Sequence, residues 1–183
     1  MEVIRGVKIN DVAAMEAAGI DRDDVARRPR RAVIKPLLVD GFFHADPHPG
    51  NVLVDTRDGS IVFLDLGLIG QLDRDQRFDL LDLMWSVVQK DAAGIAAVMT
   101  RMSVQRGKVE PARVRSAIDA IVYQYLKYGG EGSSGDFGAA ISGILGTLYD
   151  NGLKLNQDFT LALKAIVQVE EITRTLSPSF SLL

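Results

Sequence analysis

The residues best suited to chemistry lie in one stretch, residues 42 to 70, with the sequence FFHADPHPGNVLVDTRDGSIVFLDLGLIG. The stretch opens with two histidines, an aspartate and an asparagine in HADPHPGN, and an aspartate follows near its end in DLG. Carboxylate and amide oxygens suit Mg²⁺, which takes few protein ligands and completes its shell with water and substrate phosphates. The stretch therefore predicts a magnesium site that binds phosphates.

Two strand-like runs, NVLV and IVFL, separate these two groups of polar residues, and the turn formers DTRDGS lie between the runs. This pattern predicts an antiparallel hairpin. If the hairpin is centred on its turn, paired residue numbers sum to about 115 or 116, so that Asn51 faces Asp65. Asp46, Asn51 and Asp65 then converge at one end of the hairpin. Pro47 and Pro49 remove amide donors and fix φ, which keeps the first loop open.

Helical patterns dominate the rest of the chain. Before the hairpin we expect two short helices, the first capped at Asn10 and ended at Gly19, with breaks or kinks at Pro29 and Pro36. After it, a helix capped by Asp73 carries Trp85 in its core-facing stripe. Four further helices are predicted over residues 91–103, 111–128, 137–150 and 157–176. The predicted fold is mainly α, a helical bundle over 72–176 with one small β-hairpin and a flexible loop at 129–137.

Composition limits the classes of function. The net charge is −3, so no basic field favours a nucleic-acid partner, and there is no cysteine for a disulfide or a thiolate zinc site. The first ten residues lack the apolar core of a signal peptide, and no apolar run approaches the length that spans a bilayer. We expect one soluble, cytoplasmic domain over residues 1–183, without a transmembrane segment.

The two polar motifs have a known counterpart. HADPHPGN fits H-x-D-x-x-x-x-N and DLG fits D-x-G, the catalytic-loop and metal-loop signatures of protein kinases. GFFHADPHPGN followed by FLDLGLIGQL closely resembles the ABC1/UbiB family of atypical kinase-like proteins. MEVIRGVKIND resembles the hinge between the two kinase lobes, and ALKAIVQVEEITRTLSPSFSLL resembles the closing helix. The resemblance implies a kinase-like C-terminal lobe, with a hinge remnant at 1–10 and the catalytic loop, hairpin and metal loop at 41–70.

The resemblance also implies roles for individual residues. Asn51 and Asp65 would hold the Mg²⁺ that bridges the phosphates of ATP, with Gly67 completing the metal loop. Asp46 would orient or deprotonate an attacking hydroxyl.

The same resemblance bears on four further residues. His44 matches the catalytic-loop histidine, which is either a scaffold residue or a direct participant in the chemistry. His48 has no general kinase role to transfer. Met1 and Glu2 would lie at the hinge of the nucleotide cleft.

The family also implies partners. Kinase chemistry needs a glycine-rich loop and a Lys–Glu pair from an N-terminal lobe, and neither lies upstream of the hinge. We therefore expect this chain to have little turnover without that lobe. The resemblance implies an ATP-binding kinase or ATPase of ubiquinone, other isoprenoid-quinone or lipid metabolism, with proteins of that pathway as partners. We also expect peripheral membrane association of the full-length protein, and self-association through the uncovered lobe surface.

Two alternatives from other classes stay open. A pseudokinase-like lobe would keep the motifs and serve as a binding or regulatory module without catalysis. A metallohydrolase would use the histidines and aspartate of HADPH to bind Zn²⁺, although the chain has no third histidine to complete such a site.

Overall fold

The computed structural model describes residues 4–127 and 137–177, and this part of the chain is mostly helical with three small sheets. It forms two compact units. Unit 1 contains residues 4–71 and 164–177, and unit 2 contains residues 72–163. The predicted mainly α fold is confirmed, whereas the assignment of the whole chain to one domain stays a prediction.

Unit 1 begins with a short strand and two helices: β1 Gly6–Lys8, α1 Val12–Ala17 and α2 Arg22–Lys35. Asp11, and not Asn10, caps α1, because its side chain accepts a hydrogen bond from the Ala14 amide at 3.0 Å. Gly19 has φ +70°, so the chain reverses there as predicted.

Of the break or kink predicted at Pro29, the break is wrong, because α2 continues through this residue. A proline inside a helix costs about 3 kcal/mol through its missing donor and its clash with the preceding turn. Pro29 is buried, and burial of its ring offsets part of that cost. At Pro36 the helix does change, from α to a π-helical segment over Pro36–Asp40. Gly41 ends this segment with φ +72° and donates its amide to the Pro36 carbonyl.

Four further strands follow in unit 1: β2 Phe42–His44, β3 Val52–Asp55, β4 Ile61–Phe63 and β5 Ile69–Gln71. A 3₁₀ turn, Pro49–Asn51, precedes β3. β3 pairs antiparallel with β4 and also with β1, so it is the central strand of a three-stranded sheet, and β2 pairs with β5 in a separate ribbon. The sequence pattern predicted β3 and β4 but not the other strands.

The register of the hairpin differs by one residue from the predicted facing pair. Val52 lies opposite Phe63, and the Leu64 amide donates to the Asn51 carbonyl at 2.9 Å. Asn51 therefore lies opposite Leu64, and Asp65 comes one residue later. This offset places the Asp65 side chain just beyond the end of the ladder, where it is exposed.

The core of unit 1 joins its helices to its central sheet. α1, α2, β3 and the helix Gln157–Leu176 all contribute fully or almost fully buried apolar side chains. These are Met15, Val25, Ala26, Val52, Val54, Ile172 and Leu176, together with Ile9 after β1. The helix Gln157–Leu176 thus packs against the sheet that carries the hairpin. Burial of this apolar surface is the main stabilising contribution to the unit.

Asp55, at the end of β3, accepts hydrogen bonds from the backbone amide and the guanidinium of Arg57. These side-chain and backbone bonds lower the pKa of Asp55 to about 2, from an ordinary value of 3.8. Because the folded-state pKa is depressed, this contribution to stability is present above the unfolded pKa and is lost as the pH falls through the folded pKa. We expect the unfolding free energy of the wild type to fall more steeply than that of Asp55→Asn between about pH 4 and pH 2. Chemical denaturation across this pH range measures the difference, and equal slopes would contradict the expectation.

Unit 2 is built of helices joined by one small two-stranded ribbon. Its elements are α3 Arg74–Val88, α4 Ala92–Arg101, β6 Ser103–Gln105, α5 Pro111–Ile121, a π-helical segment Val122–Lys127, α6 Phe137–Asp150 and β7 Leu153–Leu155. The last helix, α7, spans Gln157–Leu176, and its residues up to Leu163 belong to unit 2. Consecutive helices pack together from α3 to α6, and β6 pairs with β7. Asp73 caps α3 in a capping box with Gln76, as the sequence predicted for this cap.

The prediction that Trp85 packs in the core is wrong, since its side chain is 66% exposed. α3 carries apolar residues on two faces, and only one face is buried. The buried residues are Leu80, Leu83, Ser86 and Val87, whereas Phe78, Leu81, Trp85 and Val88 are exposed. Periodicity alone does not decide which of two apolar faces packs, because both repeat at three and four residues.

Part of the predicted loop 129–137 lies outside the described residues, which resume at Phe137, the first residue of α6. In the ranges that the structure describes, no helix combines the length and apolarity needed to cross a membrane.

Candidate functional site

The ribbon of β2 and β5 brings the two polar motifs together. Phe42 pairs with Gln71, Phe43 with Gly70 and His44 with Ile69. The pairing extends one step further, because the Ala45 amide donates to the Leu68 carbonyl at 3.1 Å. The start of HADPHPGN therefore lies beside the residues that follow DLG.

His44 binds the backbone of its own segment, HADPHPGN. Its Nδ1 accepts a hydrogen bond from the Asp46 amide at 3.2 Å, and its ring packs edge-on against Phe63 with centroids 5.0 Å apart. An accepting Nδ1 indicates a neutral ring with its proton on Nε2. Burial lowers the pKa of His44, although the nearby charges of Asp46 and Asp65 oppose this shift. The geometry fits a scaffold role for a neutral imidazole.

His48, for which the sequence indicated no role, caps the 3₁₀ turn before β3. Its Nδ1 accepts a hydrogen bond from the Gly50 amide at 3.1 Å, and its carbonyl accepts one from the Asn51 amide at 2.8 Å. These bonds hold the backbone of Asn51. No hydrogen bond from a described residue reaches the Asn51 side chain, which leaves its amide oxygen available to a ligand.

Gly67 shapes the DLG segment around Asp65. Its amide donates to Oδ1 of Asp65 at 2.8 Å, and a Cβ at position 67 would lie 2.9 Å from that same oxygen. Any side chain at position 67 would therefore crowd the carboxylate. The bond occupies one oxygen of Asp65 and leaves the other open to solvent.

Asp46 is held by residues from α7 that the sequence reading did not identify. Lys164 Nζ and Gln168 Nε2 both lie 2.9 Å from its Oδ1. The hydrogen bond from Gln168 and then that from Lys164 lower the pKa of Asp46, against a smaller opposing effect of burial. No local pattern could identify this contact, because 122 positions separate Asp46 from Gln168.

The sequence-predicted site residues are thus placed as follows. His44 ends β2, Asn51 ends the 3₁₀ turn before β3, and Asp46, Asp65 and Gly67 lie in the segments that connect the strands. The charges of Asp46 and Asp65 both act on His44. Met1 and Glu2 lie outside the described residues.

The donor set of these loops fits Mg²⁺ better than Zn²⁺. Asn51 and Asp65 each present an oxygen that no described residue occupies, which suits a hard cation with few protein ligands. Both imidazoles of HADPH use Nδ1 to accept loop amides. The described ranges contain no cluster of three His, Asp or Glu side chains placed to hold a metal ion. This arrangement does not support the zinc-hydrolase alternative.

Comparison with known proteins agrees with the motifs. A family model described as the ABC1 atypical kinase-like domain matches residues 1–99. The chain is 32% identical over 185 residues to the Arabidopsis thaliana protein named ACTIVITY OF BC1 COMPLEX KINASE 7, chloroplastic, an alignment that covers 99% of the chain and 26% of the relative. It is 28% identical over 181 residues to an uncharacterized protein of Synechocystis sp., covering 99% of the chain and 31% of the relative.

A third relative, from Clostridium pasteurianum and described as an uncharacterized protein in the hydrogenase 1 5' region, is 26% identical over 182 residues, covering 100% of the chain and 34% of the relative. The chain thus spans between 26% and 34% of the length of these relatives. No solved structure matches it. Because the family model matches more than half of the 183 residues, the chain belongs to the ABC1 atypical kinase-like family.

Proposed function

We propose that this chain supplies the catalytic loop and the metal loop of an atypical kinase or ATPase that binds Mg²⁺ and ATP, and that it corresponds to the C-terminal lobe. The observation that supports this most directly is the β2–β5 ribbon, which pairs the start of HADPHPGN with the residues that directly follow DLG. This pairing supports the proposal because phosphoryl transfer needs the catalytic loop and the metal loop close together.

In this proposal each loop has a separate task. Asn51 and Asp65 bind Mg²⁺, and Gly67 holds the Asp65 carboxylate by its amide. The bound Mg²⁺ would neutralise charge on the ATP phosphates. Asp46 lies on the other loop, is bound by Lys164 and Gln168, and orients an attacking hydroxyl.

The surface around Asp65 supports the proposal of a second lobe. Four apolar side chains of this segment, Leu64, Leu66, Leu68 and Ile69, are between 39% and 62% exposed. An exposed apolar patch of this kind marks an interaction surface. The relatives are about three to four times as long as the chain and have room for a further lobe. In this proposal the chain alone turns over little ATP, because the glycine-rich loop and the lysine belong to that lobe.

The pathway is part of the same proposal. The close resemblance of GFFHADPHPGN and FLDLGLIGQL to the ABC1/UbiB family is the reason to place the reaction in isoprenoid-quinone or lipid metabolism.

The test is thermal unfolding of the chain with Mg²⁺ and ATP, with ATP and a chelator, and with Zn²⁺ alone. We expect the melting temperature to rise only with Mg²⁺ and ATP, since a ligand that binds the native state stabilises it by mass action. At a ligand concentration of 100 times Kd the stabilisation is about 2.7 kcal/mol. Asp65→Asn should abolish the shift, because the variant loses the charge that holds Mg²⁺.

Asp119→Asn is the matched control, since Asp119 is an exposed carboxylate on α5 in unit 2. It should keep the full shift. A rise with Zn²⁺ alone, or a shift that survives in Asp65→Asn, would contradict the proposed site.

A further inference from the structure

The two side chains that bind Asp46 reach the same oxygen of its carboxylate. Lys164 Nζ and Gln168 Nε2 both lie 2.9 Å from Oδ1. Gln168 donates to Oδ1 alone, and Oδ1 is also the oxygen that Lys164 Nζ approaches most closely. Asp46 is therefore held mainly through Oδ1.

Gln168 is in an environment that does not favour a glutamine. The residue is 9% exposed, and its Oε1 has no hydrogen-bond partner in the described part of the chain. The amide cannot reverse, because Oε1 would then face the Asp46 carboxylate. A buried acceptor without a partner disfavours the folded state. The neighbouring positions of α7 bury apolar residues instead, namely Ala165, Val169 and Ile172. Core packing therefore does not explain Gln168, whereas its bond to Asp46 does.

Lys164 differs from Gln168 in its exposure. Its side chain is 49% exposed and that of Asp46 is 34% exposed, so the ion pair lies at the surface of the catalytic loop. An isolated pair of this kind contributes little to stability. Its main effect is local, because it places a positive charge directly beside the catalytic-loop carboxylate.

We propose that Lys164 and Gln168 are positioning residues that hold Oδ1 of Asp46, so that Oδ2 accepts the hydrogen bond of the attacking hydroxyl, from an alcohol or from water. The proposal rests on the proposed function of Asp46. It assigns to α7, which lies outside both kinase signatures, control of the orientation of the catalytic carboxylate.

The electrostatics agree with this assignment. The hydrogen bonds from Gln168 and Lys164 lower the pKa of Asp46. Burial lowers the pKa of His44, and the charge of Asp46 opposes part of this shift. A carboxylate held in its ionised form accepts a hydrogen bond readily and is a weak base, so its contribution is to orient the hydroxyl.

The first experiment uses the chain itself. The Asp46 carboxyl carbon is followed by NMR during a pH titration, with Asp46→Asn identifying the signal, in the wild type, Gln168→Met and Lys164→Met. We expect the titration midpoint of Asp46 to rise in both variants. The melting temperature of Gln168→Met should stay the same or increase, because methionine fills the site without an unpaired oxygen.

The matched controls are Gln105→Met and Lys154→Met, which change exposed residues of the same types on β6 and β7. They should leave the Asp46 titration unchanged. A titration that stays unchanged in both α7 variants would overturn the proposal. So would a fall in the melting temperature of Gln168→Met without a shift of the midpoint, since Gln168 would then serve packing alone.

The second readout is kinetic and uses a form of the protein that hydrolyses ATP. Loss of either side chain should lower kcat by up to about 100-fold, the scale of a misplaced reacting group, while KM for ATP stays the same. Lys164→Arg, which keeps the charge, should recover part of kcat. An unchanged kcat in both methionine variants would overturn the positioning role. Failure of the wild-type chain to be stabilised by Mg²⁺ and ATP would instead count against the proposed function, and the NMR titration would still report on the contacts of Asp46.

Discussion

Gly70→Ala should destabilise unit 1 and disrupt the candidate site at the same time. Gly70 lies in β5 opposite Phe43 of β2. A Cβ at position 70 would lie 2.8 Å from both Cε atoms of the Phe43 ring, closer than real side chains approach. Phe43 is 2% exposed, so its ring has no free space to enter. Overpacking of this kind costs about 1–3 kcal/mol, measured as the loss in unfolding free energy by chemical denaturation.

The cost has a functional consequence because the same ribbon joins the two loops. If β2 and β5 separate to relieve the clash, His44 and Asp46 move relative to Asp65. We therefore expect Gly70→Ala to weaken stabilisation by Mg²⁺ and ATP as well.

Two further variants serve as a control for Gly70→Ala and as a test of its cause. Gly146→Ala, in α6, adds a Cβ that meets nothing within 4 Å, and it should stabilise the chain by up to about 1 kcal/mol through helix propensity. Adding Phe43→Leu to Gly70→Ala should recover part of the lost stability, because the smaller side chain leaves room for the new methyl group. An unchanged unfolding free energy in Gly70→Ala would show that the ribbon does not need this close contact.

The second large effect is expected on catalysis. Asp46→Asn should lower kcat by about 10²- to 10⁴-fold in a form of the protein that turns over ATP, the usual contribution of a side chain that positions or transfers a proton. Asparagine keeps an oxygen that accepts the bonds from Lys164 and Gln168, so the fold of the loop should persist. Steady-state kinetics with ATP measures the loss.

The assay with Mg²⁺ and ATP separates this effect from that of the metal loop. In our proposal Asp46 is not a metal ligand, so Asp46→Asn should still be stabilised by Mg²⁺ and ATP, whereas Asp65→Asn should not. If Asp46→Asn kept full kcat, or lost the stabilisation together with Asp65→Asn, the division of roles between the two loops would be incorrect.

Local sequence patterns determined much of the fold. α6 and α7 begin and end at the predicted residues, and Asp73 caps α3 as predicted. NVLV and IVFL pair antiparallel around their turn. Each of these features depends on residues within a few positions of one another, which is the range over which caps, turns and periodicity act. The family motifs are equally local, and the predicted family is confirmed.

Other elements could not be predicted because their stability comes from distant parts of the chain. β1, β2, β5, β6 and β7 have three residues each, and no short turn joins any of them to its partner strand, as one joins β3 to β4. They form because they pair across the fold, as Phe42 pairs with Gln71. The continuation of α2 through Pro29 and the exposure of Trp85 likewise depend on which surfaces are buried.

The candidate site shows the same division. The sequence by itself determined which residues could bind Mg²⁺ and phosphate, since HADPHPGN and DLG contain Asp46, Asn51 and Asp65 in recognisable spacing. Only the tertiary structure decided that Leu64, and not Asp65, lies opposite Asn51, and that α7 supplies two donors to Asp46. The physical reason is that the type of a residue determines which ligands its side chain can bind. The distance between two side chains more than 100 positions apart is instead determined by the packing of the helices and strands that carry them.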